Sequence, residues 1–393
     1  MKIGVVIERM EAWRGGAETS TLELCRLLRE RDHDVHVITA TNAQSSPDIT
    51  IHTINAPSLL ASRRPIVFAK RAAAYVRKHG FDIVHAIAPM PEADVYQPRG
   101  GLLVETMSRN VFTRPTASRR LLKRALLALN VKQRTMLELE RRVFRAGGPL
   151  IACVSNYVAR QCETYYNVLP PRARVIFNGV CPTLPDDAER ARLRAEVRGE
   201  LGVSDDTLLL LFLAHNFRLK GLYPLIETMS RLQVGGRHNV RLLVVGRDNI
   251  VPFQRRIDAC GLQQSVTFLG PSQRAAALFC ASDVCVHPTY YDPCSRVVLE
   301  SLYFGVPAIT TAFNGASEVI RDGCEGFVIQ TPDDTGMWAR RITDLMSPAL
   351  RQRMSESALL LRERIHMRRH VSELEAVFQE IVSQKRSAAA LSS

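Results

Sequence analysis

Residues 284–311 read VCVHPTYYDPCSRVVLESLYFGVPAITT, and this stretch decides the fold of the second half of the chain. The apolar run 284–287 predicts a buried strand, and the polar loop after it reaches Ser295, a residue type that often caps a helix. Apolar residues then recur over 296–304, which predicts a helix, and 308–311 predicts the next strand. A strand, a crossover helix and a second strand form the unit from which parallel sheets are built.

The same alternation of strands and helices extends to both sides of this unit. Further apolar runs predict strands at 2–7, 35–39, 51–54, 82–87, 150–154, 208–213, 240–245 and 266–269. One segment rich in turn formers, 177–185, interrupts the pattern. We therefore predict an α/β protein with two doubly wound domains, 1–180 and 181–365. Residues 366–393 are predicted to form a helix, which could pack back on the N-terminal domain, and a loose tail over 387–393.

The size and composition of the chain agree with two globular domains. Its 393 residues are 46% hydrophobic and 23% charged, which is ordinary for a globular protein. The apolar start, 2–7, is too short for a signal peptide, and no stretch reaches the roughly 18 apolar residues of a membrane span. We therefore expect a cytoplasmic protein. The nine scattered cysteines are predicted to be reduced thiols, and no metal site is expected.

Chemistry is expected in the loops that follow strands, because parallel sheets bind ligands at the carboxyl ends of their strands and two such domains imply a cleft between them. Gly15 and Gly16 follow the first strand and begin a helix. Glycines there let the backbone approach a phosphate, and a helix N-terminus offers N–H groups and positive potential. The alternative for this pair is a simple tight turn.

A second candidate loop, 215–221, follows the strand 208–213. It holds Arg218, which can bind phosphate oxygens with two parallel hydrogen bonds, and Lys220, a compact positive charge. Together they could hold a diphosphate. A solvated basic loop is the alternative interpretation.

The third candidate is the loop and helix that follow the strand 284–287. Asp292 lies in the loop ahead of the helix, and Glu300 lies just over one turn inside it. Carboxylates suit sugar hydroxyls, and the N–H groups at the helix start suit a phosphate. The spacing therefore favours a sugar-phosphate site, and two unrelated surface acids are the alternative.

Together these motifs resemble a known family. The chain is similar to retaining family-4 glycosyltransferases of the GT-B fold, with two Rossmann-like domains, whose central motif is two glutamates separated by seven residues. Asp292 and Glu300 have that spacing, with Asp292 one methylene shorter than the family residue. The other matching segments are Gly305-Val306-Pro307, Gly15-Gly16-Ala17-Glu18, Lys220-Gly221, Asn178-Gly179-Val180 and Gly315-Ala316-Ser317-Glu318.

Within that family the pattern is closest to lipopolysaccharide-core glucosyltransferases, on the segment Met90-Pro91-Glu92-Ala93-Asp94-Val95-Tyr96. Two positions depart from the pattern. His215 stands where the family has its phosphate-binding arginine, so Arg218 is expected to substitute. Gly100 stands near the position of a second aspartate in the lipopolysaccharide enzymes.

The resemblance implies a retaining, metal-independent transfer of a hexosyl group without a cofactor. The expected donor is UDP-glucose or a related nucleotide sugar, and the expected acceptor is a lipid-linked glycan or a polysaccharide such as lipopolysaccharide core in the cell envelope. By resemblance, Glu300 binds ribose and Asp292 binds the donor sugar. The resemblance also implies that Arg218 and Lys220 stabilise the leaving diphosphate. Asp94 is, by the same resemblance, a catalytic residue on the acceptor side. The remaining predicted donor contacts are Gly15, Gly16, Asn216, Gly246, Arg247, Ser295, Arg296 and Val297. The alternatives are a GT-B sugar-nucleotide epimerase and a non-catalytic, membrane-associated nucleotide-binding protein.

Positive charge is concentrated in one segment. The net charge is +13, and residues 107–145 hold eleven Lys or Arg against two Glu, a net of +9. Within 118–145, leucines interleave with Arg119, Arg120, Lys123 and Arg124, which predicts one basic amphipathic helix. Such a helix can lie on an anionic bilayer. We therefore expect a peripheral protein on the inner face of the cytoplasmic membrane. A solvated helix is one alternative; nucleic acid is not an expected partner, because no recognised binding module accompanies the charge.

Overall fold

The computed structural model describes residues 1–11, 15–41, 49–57 and 61–392. The chain divides into two compact units, one formed by 1–179 together with 366–393 and the other by 180–365. Each unit is built around one parallel sheet. No helix within these described ranges is both long enough and apolar enough to cross a bilayer.

The first unit contains a seven-stranded sheet in the order β3-β2-β1-β4-β5-β6-β7, with all neighbours parallel. Its strands are β1 Lys2–Val6, β2 Asp34–Thr39, β3 Thr50–Thr53, β4 Ile83–Ala86, β5 Val95–Tyr96, β6 Leu150–Cys153 and β7 Ala173–Val175. Its helices before residue 180 are α1 Gly16–Arg29, α2 Arg64–His79, α3 Leu103–Phe112, α4 Ala117–Leu129, α5 Val131–Phe144 and α6 Asn156–Tyr166, with a 3₁₀ turn at Ala61–Arg63.

The second unit contains a six-stranded sheet in the order β10-β9-β8-β11-β12-β13, again with all neighbours parallel. Its strands are β8 Leu208–Leu213, β9 Val240–Val245, β10 Val266–Gly270, β11 Val284–His287, β12 Ala308–Thr311 and β13 Gly326–Ile329. Its helices are α7 Asp187–Glu200, α8 Leu222–Val234, α9 Val251–Ala259, α10 Ala275–Ala281, α11 Arg296–Tyr303, α12 Thr335–Asp344, α13 Pro348–Leu359 and α14 Arg362–Ile365, with a 3₁₀ turn at Gly315–Val319.

The predicted fold class, two doubly wound parallel sheets, is confirmed. β8 reads LLLLFL and is buried along nearly its whole length, as expected for a central strand covered on both faces by helices. Three strands were not predicted: β5 has only two residues, β7 has three, and β13 begins at a glycine. Runs this short carry too little apolar periodicity to be distinguished from loops.

The last helix, α15 Met367–Ser392, belongs to the first unit although it follows the second in sequence. Met367, Val371, Leu374 and Phe378 are completely buried in the core beneath the sheet. The predicted loose tail is wrong, because the helix continues through Ser392; residue 393 lies outside the described residues.

Residues 118–145 lie in two helices, α4 and α5, so the predicted single helix over 118–145 is wrong. α4 and α5 meet at Asn130, whose backbone is extended (φ −76°, ψ 103°). The side-chain oxygen of Asn130 accepts a hydrogen bond from the Gln133 N–H at 3.1 Å. That bond caps α5, since the first N–H groups of a helix have no partners within it.

Candidate active site

Most of the predicted donor residues lie at one edge of the second sheet. The loops that begin at Ala214, Gly246 and Pro288 follow β8, β9 and β11, which are neighbours in the order β9-β8-β11. Because the strands are parallel, their carboxyl ends are on the same side, where doubly wound sheets bind their ligands.

Lys220 and Asp292 form an ion pair at this edge. The Lys220 Nζ lies 2.6 Å from Asp292 Oδ2 and also donates to the Tyr291 carbonyl at 3.0 Å. Both side chains are largely buried. Burial raises the pKa of Asp292, but the charge of Lys220 and the hydrogen bonds from His287 and Lys220 outweigh it and lower that pKa to about 2. The Asp292 carboxylate is therefore ionised at neutral pH.

The loop that carries Lys220 is held by its own backbone and by a neighbouring loop. Asn216 adopts a left-handed conformation (φ 56°), and its Oδ1 accepts from the Leu219 N–H at 3.3 Å. Asp248 Oδ2, from the loop after β9, accepts from the Phe217 N–H at 2.7 Å. Gly221, at φ 84°, lies so close to Pro288 that an added Cβ would be 1.8 Å from that carbonyl oxygen. These contacts fix the position from which Lys220 extends.

Asn314 organises the loop that carries Asp292. It is completely buried, and its Oδ1 accepts from the N–H groups of Ser295 and Ala316, each at 3.0 Å. Its Nδ2 donates to Thr310 Oγ1 at 2.9 Å. Sequence reasoning missed Asn314 and Asp248, because an Asn or Asp in a loop is common and only the folded contacts distinguish these two.

Helix α11 begins as predicted. Ser295 Oγ accepts from the Val298 N–H at 3.4 Å, which confirms Ser295 as the N-cap. Val297 lies in the first turn, where N–H groups have no partner within the helix and the helix dipole is positive. Arg296 pairs with Glu300 one turn later, with Nη2 at 2.9 Å from Oε1. The start of α11 thus combines a helix N-terminus suited to an anion with a second ion pair, Arg296–Glu300.

His287, the last residue of β11, is a further member of the group. It is completely buried, and its Nε2 lies 3.3 Å from Asp292 Oδ2. Burial lowers the pKa of His287, and the neighbouring Asp292 only partly raises it again. In the sequence, His287 is only the last residue of a predicted strand, and its place at the carboxyl end of that strand is the one signal of a functional role.

Arg218, Gly246 and Arg247 have different surroundings. The guanidinium of Arg218 lies over the Tyr223 ring, 4.6 Å from its centre, and donates to the Tyr223 hydroxyl at 3.2 Å. The structure thus places Arg218 against α8 and not against the Lys220–Asp292 pair. Gly246 packs against the Ala214 carbonyl, whereas Arg247 is exposed.

In the first unit, Gly15 and Gly16 follow β1 at the carboxyl edge of its sheet, and α1 begins at Gly16 without a side-chain cap. Asp94 lies at the opposite, amino-terminal edge of that sheet, immediately before β5. Its Oδ2 accepts from the Val84 N–H at 2.8 Å and from Lys385 Nζ at 2.7 Å. These contacts correct the predicted catalytic role, because Asp94 joins β4 to α15 away from the edge where ligands bind.

The residues that the structure describes contain no group of three or more His, Cys, Asp or Glu side chains arranged to hold a metal ion.

Two family models match the chain. The family described as Glycosyl transferases group 1 matches residues 194–360, and Glycosyltransferase Family 4 matches residues 14–184. The matched ranges contain the ion pair of the second unit and the Gly15-Gly16 loop of the first.

Two similar proteins cover most of this chain. Lipopolysaccharide glucosyltransferase WaaG of Escherichia coli (strain K12) is 25% identical over 321 residues, which cover 81% of this chain and 82% of WaaG. N-acetyl-alpha-D-glucosaminyl L-malate synthase of Bacillus anthracis is 22% identical over 379 residues, or 94% of each chain.

Solved structures share the fold. The crystal structure of WaaG superposes with a TM-score of 0.80 at 21% identity and covers 96% of this chain and 99% of that chain. The structure of Anabaena Alr3699/HepE in complex with UDP-glucose has a TM-score of 0.69 at 18% identity, covering 98% and 100%.

Proposed function

This chain is a glycosyltransferase of the GT-B fold, with group 1 and family 4 domains, and we propose that it transfers a hexosyl group from a UDP-linked sugar to a lipid-linked glycan. The observation that supports this proposal most directly is the buried Lys220–Asp292 pair beside the N-terminus of α11. UDP-glucose is the first donor to test, since WaaG is a glucosyltransferase and HepE binds UDP-glucose.

The geometry around Lys220 suits a diphosphate leaving group. An ammonium has three N–H donors, and the Tyr291 carbonyl and Asp292 accept two of them. The third can donate to a phosphate oxygen, to which the first turn of α11 would contribute backbone N–H groups. Fixed donors aimed at a developing negative charge stabilise the transition state. We propose that this positive charge does the work of a metal ion, so turnover should persist in EDTA.

The remaining donor contacts follow the family resemblance. Glu300 would accept hydrogen bonds from the ribose hydroxyls, with Arg296 holding its carboxylate. In the transfer step the bond from the anomeric carbon to the diphosphate oxygen breaks, and the acceptor oxygen bonds to the same face of that carbon. The acceptor proton leaves on the departing phosphate. Retention of the anomeric configuration is therefore proposed, and the coupling constant of the product's anomeric proton would test it.

Mutation of Lys220 tests the proposal. We expect Lys220→Ala to reduce turnover of UDP-glucose by about 100-fold or more, the typical loss when one transition-state donor is removed. Arg256→Ala is the matched control, since it removes an exposed cation of the same unit that pairs with Glu227. Unchanged turnover in Lys220→Ala, measured as UDP release with a panel of nucleotide sugars, would contradict the phosphate role.

A membrane surface is the proposed partner of α4. Leu121, Leu122, Leu126 and Leu129 are each more than half exposed, and Arg119 and Arg124 lie exposed among them. Apolar side chains can enter the headgroup region, and each basic residue adds about 1 kcal/mol near an anionic surface. This arrangement favours a bilayer, and hence a lipid-linked acceptor, over a solvated helix.

Vesicle flotation tests the membrane proposal. We expect the protein to float with vesicles that contain anionic lipid, and the double substitution Leu121→Gln and Leu122→Gln to weaken that binding. Leu360→Gln, which changes a still more exposed leucine of the second unit, is the control. Equal binding to neutral vesicles, or no loss in the double variant, would count against the proposal.

A further inference from the structure

We propose that His287 is a positioning residue of the donor site: its Nε2–H holds the Asp292 carboxylate, which in turn holds the Lys220 ammonium where the donor diphosphate binds. The inference rests on the proposed function and deepens it. It assigns Asp292 to Lys220, whereas the family resemblance assigns it to the donor sugar.

The first step is the contact between His287 and Asp292. His287 Nε2 lies 3.3 Å from Asp292 Oδ2, and both side chains are almost entirely shielded from water. The ring packs near Phe212, and its Nδ1 has no hydrogen-bond partner in the part of the chain that the structure describes. Burial keeps the imidazole neutral by lowering its pKa. A neutral imidazole facing a carboxylate must carry its single proton on that side, so the proton is on Nε2.

The second step is the geometry of Asp292. One oxygen, Oδ2, accepts from Lys220 Nζ at 2.6 Å and from His287 Nε2 at 3.3 Å. The backbone is fixed as well, since the Asp292 N–H donates to the Phe313 carbonyl at 2.9 Å and its own carbonyl accepts from the Gly315 N–H at 3.0 Å. Because the backbone is fixed and the side chain of Asp292 is short, its carboxylate is held against the Lys220 ammonium.

The third step is the need of Lys220 for such support. Lysine has a flexible four-carbon side chain, and its ammonium has no preferred direction of its own. Two acceptors, the Tyr291 carbonyl and Asp292, restrain it, and one of these depends on His287. Catalytic groups act best when neighbours hold them in place before the substrate arrives. His287 would thus act through Asp292 and not on the substrate.

Kinetics can separate positioning from a general structural effect. We expect His287→Leu to reduce kcat with UDP-glucose roughly tenfold with a smaller change in KM, because the loss falls on the transition state. His287→Gln keeps an N–H donor of similar reach and should stay within about threefold of the wild type. Cys285→Ala is the control: it alters a buried residue of the same strand outside the site and should leave kcat unchanged.

A double-mutant cycle identifies the partner. If His287 acts through Asp292, then His287→Leu should cause no further loss of kcat in an Asp292→Asn background. Losses that multiply would show that the two residues act independently and would overturn the proposal. Failure of His287→Gln to restore activity would also count against it.

A measurement on the protein without substrate distinguishes this inference from the proposed function. In ¹⁵N-labelled protein, the His287 ring should show a proton on Nε2, and Asp292→Asn should shift or broaden that signal. A proton on Nδ1 in the wild type would overturn the positioning role even if UDP-glucose were turned over. Conversely, an Nε2 proton that responds to Asp292→Asn would support the contact even if the donor proved to be another nucleotide sugar.

Discussion

Gly221 and Gly246 bring backbone segments of the donor site closer together than any side chain would allow. An added Cβ would lie 1.8 Å from the Pro288 carbonyl oxygen at Gly221, and 1.8 Å from the Ala214 carbonyl oxygen at Gly246. Both residues also have positive φ angles, 84° and 138°, which side chains rarely tolerate. The loops after β8, β9 and β11 therefore pack directly against each other, backbone to backbone, at these two glycines.

We predict that Gly221→Ala destabilises the second unit by at least about 2 kcal/mol and reduces donor turnover, because Lys220 is displaced along with its loop. Gly202→Ala is the control, since Gly202 also has a positive φ, 59°, but an added Cβ there meets nothing within 4 Å. Its cost should be about 1 kcal/mol. Equal losses of unfolding free energy for the two variants, measured in urea, would show that the contact with Pro288 is unimportant.

The low pKa of Asp292 predicts a pH dependence of stability. The folded pKa is about 2 and the ordinary value 3.8, so the ion pair contributes fully above about pH 5 and its contribution is lost as the pH falls through 2. The full contribution corresponds to about 2 kcal/mol. The difference in unfolding free energy between wild type and Asp292→Asn should thus shrink by about half of that amount from pH 6 to pH 3. A constant difference would show that folding does not lower the pKa of Asp292.

For single residues, the sequence predicted which loop carries each site residue better than it predicted where the side chain points. Lys220, Asp292 and Ser295 could be predicted because each follows closely on a strand that apolar residues identify. Arg218 and Asp94 were placed by motif, but their side chains are directed by Tyr223 and by Lys385, contacts that only the folded chain creates. His287 was missed although its place at the carboxyl end of the predicted strand 284–287 was visible in the sequence.

Among the helices, α15 is the one whose role is least evident from its position in the sequence. Residues from Met367 to Val382 bury an apolar face in the core of the first unit, whereas 383–391 are exposed. Gly179 lies where that helix begins, and an added Cβ would be 2.8 Å from the Met367 Cα. Apolar spacing predicted the helix, but its length depends on an exposed end, 383–391, that periodicity does not mark.

One truncation and one substitution test the division of α15. Removal of 387–393 should leave stability within about 0.5 kcal/mol, because the described side chains it deletes are exposed. Phe378→Ala should cost about 3–5 kcal/mol, because it opens a cavity beneath the first sheet. Thermal unfolding of both variants beside the wild type measures the contrast, and similar melting temperatures would contradict the packing.

At the scale of the whole molecule, the two units differ in whether they are built from one continuous segment of the chain. The second unit is a single segment, 180–365, with its own core, whereas the first combines 1–179 with 366–393. Alternation of strands and helices predicted two domains. It could not establish which unit the final helix joins, because that depends on the apolar face it covers.

We predict that the fragment 180–365 folds alone and that 1–179 does not. The fragment retains the complete six-stranded sheet and its core, whereas 1–179 lacks the helix that buries the face lined by Val5, Val37 and Val95. Cooperative unfolding of 180–365 in urea, and aggregation or a molten state of 1–179, are the expected results. A stable, monomeric 1–179 would contradict the role given to α15.

The discontinuity of the first unit also has a consequence for synthesis on the ribosome. Domains usually fold in the order in which they are made, at about 5–20 residues per second. Here the first unit must wait for residues 366–393, so the segment 180–365 emerges in the meantime and can fold first. At that rate the uncovered face of the first sheet is exposed for roughly 10–40 s. We therefore expect chaperones to bind the nascent chain during this interval and to release it once α15 covers that face.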